Sequence, residues 1–152
     1  MPASVIQFTQ SAMIQMTDIL QISQNTNSSK TSHTLFVCKT CASVWQEGKR
    51  VGESGGQKLL QRLQDLAEKW ELRDEFPIQA VECMSACSRA CVVAFVGKGK
   101  LTYLFGDLPV DHNGEAVLEC ASKYYAKSDG LLPWSERPEP LKNGILARIP
   151  TS

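Results

Sequence analysis

The sequence lacks an excess of charge of either sign, since sixteen lysines and arginines face sixteen aspartates and glutamates. With no net field to draw it onto phosphate backbones or anionic lipid, neither nucleic acid nor a membrane is expected as a partner. Long apolar runs are absent too. The longest, Cys91 to Val96, has the length of a strand and falls far short of the roughly 18 residues a spanning helix needs. The first residues do not follow the order of a secretory signal, because Gln7, Gln10, Gln15 and Asp18 interrupt the apolar positions. A soluble, cytoplasmic protein is expected. Histidine is scarce, and His33 and His112 stand too far apart to suggest a histidine metal site. No serine sits in a nucleophile-elbow context, so nothing points to a hydrolase. Asp107, Asp111, Glu115 and Glu119 read as loop and helix-start charges rather than a catalytic pair.

What the sequence does have is cysteine. Six occur in 152 residues, enough chain for one ordinary domain plus tails. In a reducing cytosol they are not a disulfide framework, so they are metal ligands, redox thiols or core filler. Five fall into two tight groups, Cys38 with Cys41 and Cys83 with Cys87 and Cys91, whereas Cys120 stands alone.

Residues 1–33 are rich in Gln, Ser, Thr and Asn and are expected to form a disordered extension, because such a composition buries too little surface to offset chain entropy. A true start at Met13 or Met16, or a short amphipathic segment over Val5 to Ile22, are the alternatives. The domain is expected over 34–128. Leu35-Phe36-Val37 is a buried-strand pattern running into Cys38, followed by a glycine-bearing loop and a helix start at Glu53 or Ser54. Leu59, Leu60, Leu63, Leu66, Ala67 and Trp70 recur at helical spacing. After Pro77, a second strand from Ile78 to Val81 runs into Cys83. Strands Val92 to Val96 and Lys100 to Phe105 flank Gly97-Lys98-Gly99, a hairpin signal. Asp111 or Asn113 is placed to cap a second helix with Ala116, Val117, Cys120, Ala121, Tyr124 and Tyr125 inward. The order predicts an α/β sandwich, βαββα, with a mixed sheet and two helices, which is the core of thioredoxin-like domains. Residues 129–152, with Trp134, Pro133, Pro138 and Pro140, are expected as a non-helical strap packed over the sheet, with a docking surface as the alternative.

Both cysteine pairs lie at strand exits, each within one short loop. Four soft thiolates select a zinc or an iron–sulfur centre over hard cations, and a [2Fe–2S] cluster needs two ligands on each iron. Joining loops so far apart through a metal would constrain the unfolded chain, so metal loss is expected to loosen the fold. Ser43, Ser85, Ser88 and turn N–H groups are candidates to hydrogen-bond thiolate sulfur, and Lys39 and Arg89 to offset its charge. A lone CxxC after a strand is also a thiol–disulfide signature. Cys91 opens an apolar strand and is read as core, with ligand exchange as the alternative. Cys120, on an apolar helix face, is core.

The stretch from Thr34 to Pro150 resembles DUF1636, a bacterial family of metal-binding proteins of unknown function. The resemblance rests on Val37-Cys38-x-x-Cys41, on Glu82-Cys83-Met84-Ser85-Ala86-Cys87 continuing to Cys91, and on Tyr103-Leu104-Phe105-Gly106-Asp107-Leu108. Gly130 to Glu139 and Ile145 to Pro150 add to it. The family in turn is similar to thioredoxin-like [2Fe–2S] ferredoxins and to the small iron–sulfur subunit of respiratory complex I. That likeness implies Cys38, Cys41, Cys83 and Cys87 as the cluster ligands. The sequence departs in the short spacing of its first pair and in carrying Cys91. The implied role is electron transfer or cluster carriage with a redox partner protein, not catalysis, with a homodimer left open. A Cys38/Cys41 dithiol enzyme and a structural zinc or metal-delivery module are the competing readings.

Overall fold

The computed structural model describes residues 32–109 and 113–152. Strand β1 (His33–Cys38) alternates buried and half-buried positions, so Leu35 and Val37 point into the core while Thr34 and Phe36 face the other side. Helix α1 (Gly55–Ala67) starts on a capping box: the Ser54 hydroxyl oxygen accepts from the Gln57 N–H at 3.0 Å, and the Gln57 side chain accepts from the Ser54 N–H at 3.2 Å. Its apolar stripe buries Leu59 and Leu63. The chain returns through β4 (Ile78–Val81), which pairs parallel to β1 with Cys38 opposite Val81. Strands β5 (Val93–Gly97) and β6 (Thr102–Phe105) form the expected antiparallel hairpin beside β1. Helix α2 (Gly114–Ala126) buries Val117, Leu118, Cys120, Ala121 and Tyr124 and packs against α1 and β5. The predicted βαββα core is therefore present.

Four expectations need correction or fall outside the description. Strand β1 already includes His33, which pairs with Gly97; residues 1–31 of the predicted extension, and the cap at Asp111, lie outside the described residues. Asn113 precedes α2 without a side-chain cap; its amide donates to the Pro109 carbonyl at 3.0 Å. The loop after Cys41 contains a small hairpin, β2 (Val44–Gln46) and β3 (Lys49–Val51), whose two-residue turn places Glu47 and Gly48 at positive φ. The tail is not a non-helical strap over the sheet. It includes a one-turn helix, α3 (Glu139–Lys142), and then enters the sheet as edge strand β7 (Ile145–Ile149), antiparallel to β6. The sheet order is β4-β1-β5-β6-β7.

Aromatic rings fill the space between sheet and helices. Phe76, Phe95, Phe105, Tyr103 and Tyr124 are fully buried and in mutual ring contact. Both tyrosine hydroxyls are satisfied: Tyr124 donates to the Leu101 carbonyl at 2.6 Å, and Tyr103 accepts from the Leu132 N–H at 2.9 Å. The second bond and the buried Leu132 and Leu141 tie the tail to the core. Among the described residues no helix is long and apolar enough to cross a membrane.

Candidate metal centre

Parallel pairing decides the geometry of the cysteines. Because β1 and β4 are neighbours running in the same direction, the loops that follow them leave the same end of the sheet. One carries Cys38 and Cys41, both buried, and the other carries Cys83 and Cys87, both exposed. All six cysteines are free thiols. The two loops touch. The Cys38 thiol donates to the Glu82 carbonyl at 3.9 Å, the Thr40 hydroxyl donates to the same oxygen, and the Lys39 ammonium pairs with the Glu82 carboxylate at 2.6 Å. Helix α1 braces the first loop from behind, the Gly55 and Gly56 N–H groups donating to the Ala42 and Cys41 carbonyls at 3.1 and 2.9 Å.

The electrostatics differ between buried and exposed thiols. Burial pushes Cys38 up, but hydrogen bonds from the Cys41 thiol, the Met84 and Thr40 N–H groups and the Thr40 hydroxyl outweigh it and leave the thiol below its ordinary range. Burial, followed by the hydrogen bond and charge of Cys38, pushes Cys41 up to about 12. The hydrogen bond shared with Cys83, followed by that thiol's charge, raises Cys87, and the charge of Cys38 reaches it as well. Burial and then the charge of Cys38 raise Cys91, which sits in the core as expected. Cys120 is buried on α2, away from both loops, and burial pushes it up to about 12.

Among the described residues no three Cys, His, Asp or Glu side chains stand together as a metal-holding group. The fold instead presents two thiol pairs on touching loops. As a donor set these are soft, unpaired by disulfides and supplied with N–H donors that favour the thiolate, which suits an iron–sulfur or zinc centre.

The residues around the sulfurs are used differently from what sequence proximity suggested. The Ser85 N–H does donate to the Cys83 sulfur, at 3.2 Å. The Ser43 hydroxyl instead donates to the Thr40 carbonyl at 2.6 Å. Lys39 is consumed by Glu82, and Arg89 by Asp107, whose carboxylate receives its Nε at 2.8 and 2.9 Å. A cation that shares a cleft with the exposed cysteines is Arg50, which sequence reasoning missed. It lines an open cleft of about 520 Å³ together with Trp45, Thr40, Glu82, Cys83 and Cys87. The signal that could have found it is the two-residue turn with glycine between Val44-Trp45-Gln46 and Lys49-Arg50-Val51, which sets Trp45 opposite Arg50.

These features define a thioredoxin-like domain with paired cysteine loops at one end of its sheet. The chain belongs to DUF1636, a family of proteins of unknown function, whose sequence pattern matches residues 35–151. Its fold is similar to that of a thioredoxin-like [2Fe–2S] ferredoxin from Aquifex aeolicus, with a TM-score of 0.50 and 16% identity over 78% of this chain and 94% of that one. A serine-for-cysteine variant of the Aquifex aeolicus ferredoxin aligns with a TM-score of 0.49 and 17% identity over 76% and 98%. No curated protein matches the sequence.

Proposed function

We propose that the chain holds a [2Fe–2S] cluster on Cys38, Cys41, Cys83 and Cys87 and serves in electron transfer or cluster carriage with a partner protein. The observation that carries this reading is the contact of the Cys38 sulfur with the second cysteine loop, through the Glu82 carbonyl. When bound, the cluster supplies one-electron chemistry. The chain supplies the rest: Cys38 and Cys41 form a buried, braced half of the site, and the exposed loop of Cys83 and Cys87 closes against it. The Thr40, Met84 and Ser85 N–H groups stabilise thiolate charge. Iron and sulfide content, visible absorption of anaerobically purified protein and electron paramagnetic resonance after reduction test the proposal. A colourless protein with stoichiometric zinc rejects it.

The depressed Cys38 beside the raised Cys41 favours one other reading, a dithiol–disulfide pair. The chain after Cys41 enters a turn and the β2–β3 hairpin, however, so no helix N-terminus begins at Cys38 to activate it. Metal-free protein that reduces an insulin-like disulfide, with the activity lost in Cys38→Ser, would establish this second reading.

A further inference from the structure

We propose that the cleft-facing side of the β2–β3 hairpin, Trp45 and Arg50, is the docking surface for an acidic redox protein; this rests on the electron-transfer reading above. In the two-stranded hairpin Trp45 pairs with Arg50 across the strands, and the guanidinium stands 5.2 Å above the indole. Alternation sends these two side chains to the cleft, while Gln46, Lys49 and Val51 line a separate hollow on the opposite side. The cleft is where the exposed cysteine pair, Cys83 and Cys87, reaches solvent. A protein seated there reaches the cysteine pair without crossing the body of the domain.

Trp45 is 59% exposed, although tryptophan is costly to leave in water unless something covers it. Tryptophan and arginine are the residue types that dominate binding energy at protein interfaces. The charge of the cleft has one sign available for a partner. Its carboxylate, Glu82, is neutralised by Lys39 at 2.6 Å, whereas Arg50 has no carboxylate partner among the described residues. A partner carboxylate supplies what Arg50 lacks. A second copy of this chain seated on this cleft by a two-fold axis does not, because the carboxylate that its own cleft would offer, Glu82, is already paired with Lys39.

The test uses the full chain loaded with its cluster and two protein probes of opposite charge, an acidic flavodoxin and basic cytochrome c. One electron leaves reduced flavodoxin and enters the oxidised centre; in the other assay one electron leaves the reduced centre for ferric haem. Rates are read by stopped flow at low and high salt in wild type, R50E, K49E and W45A. R50E and K49E change net charge equally but on opposite sides of the hairpin, so only position distinguishes them. R50E and W45A are expected to slow exchange with flavodoxin about tenfold or more, and K49E less than about twofold. The wild-type rate with flavodoxin should fall as salt rises. Equal effects of R50E and K49E, an unchanged rate in W45A, or a wild-type rate that falls with salt for cytochrome c and not for flavodoxin would overturn the docking surface alone. So would self-association of the wild type that W45A abolishes. Wild-type protein that binds no iron overturns the electron-transfer reading itself, and this inference with it.

Discussion

Cysteine identity separates ligand from filler. Cys38→Ser and Cys83→Ser should each abolish stoichiometric iron and the visible absorption, whereas Cys120→Ala should retain both. Cys120 sits fully buried on the far helix, where burial keeps its thiol neutral. Cys91→Ala should also keep iron, since Cys91 lies on neither paired loop and its backbone exchanges hydrogen bonds with Leu108 at the entry to β5; iron per chain is the measurement. His33 carries a separate, pH-dependent contribution. Its ring packs on Phe76, Tyr124 and Tyr125, its Nδ1 meets the Ser32 hydroxyl at 2.7 Å, and its Nε2 has no partner among the described residues. Burial first, and the Lys100 charge second, lower its pKa from 6.5. The unfolded chain therefore binds more protons than the fold below about pH 6.5, so stability is full above that value and falls as pH drops toward the folded pKa. Thermal melts from about pH 7.5 to 5.5 should show this loss in wild type and a flatter profile in His33→Gln.

At the scale of elements, the N-terminus of α1 and the C-terminus of α2 are the sensitive joints. A Cβ on Gly56 would lie 2.0 Å from the Cys38 carbonyl oxygen, so α1 can approach the first cysteine loop this closely only with glycine there. Gly56→Ala should destabilise the fold by about 1–3 kcal/mol or more in denaturant titrations and speed loss of metal to a chelator, because the shift falls on the loop holding Cys38 and Cys41. Lys100, only 9% exposed, donates from its ammonium to the Tyr124 and Tyr125 carbonyls at 3.2 and 2.7 Å, closing the last turn of α2. Lys100→Met keeps most of the stem but leaves those carbonyls without their donor, and should cost about 1–3 kcal/mol by the same measurement. The sequence made these elements legible to different degrees. The start of α1 was readable to within one residue, at Glu53 or Ser54, because a polar capping residue there follows the glycine-bearing loop and precedes the apolar repeat; the capping box settles it on Ser54. The β2–β3 hairpin was not readable, because its three-residue strands are exposed and show no alternation of apolar and polar side chains.

At the scale of the molecule, a cluster would link loops that the chain otherwise joins through the β2–β3 hairpin, a helix and a returning strand. Removing it with a chelator should lower the midpoint of thermal unfolding, since a ligand bound only by the fold stabilises it. An unchanged midpoint would mean that the metal contributes nothing to folding. The tail belongs to this scale as well. Trp134 and its prolines suggested a strap, yet Trp134 is 56% exposed under the Lys142 ammonium, 4.5 Å from the ring centroid. The anchoring falls to Leu132, Leu141 and β7, whose place beside β6 depends on partners forty or more residues earlier in the chain.

The residues alone determined that two cysteine pairs close two strand ends and that the elements follow the order βαββα, because apolar periodicity, turn glycines and caps act over a few neighbours. Only the tertiary structure decided that those strand ends lie side by side, that Lys39 and Arg89 are spent on Glu82 and Asp107, and that Arg50 instead lines the cleft the exposed thiols open into. Strand neighbours and ion-pair partners are chosen by packing between segments distant in sequence, and no local pattern records that choice.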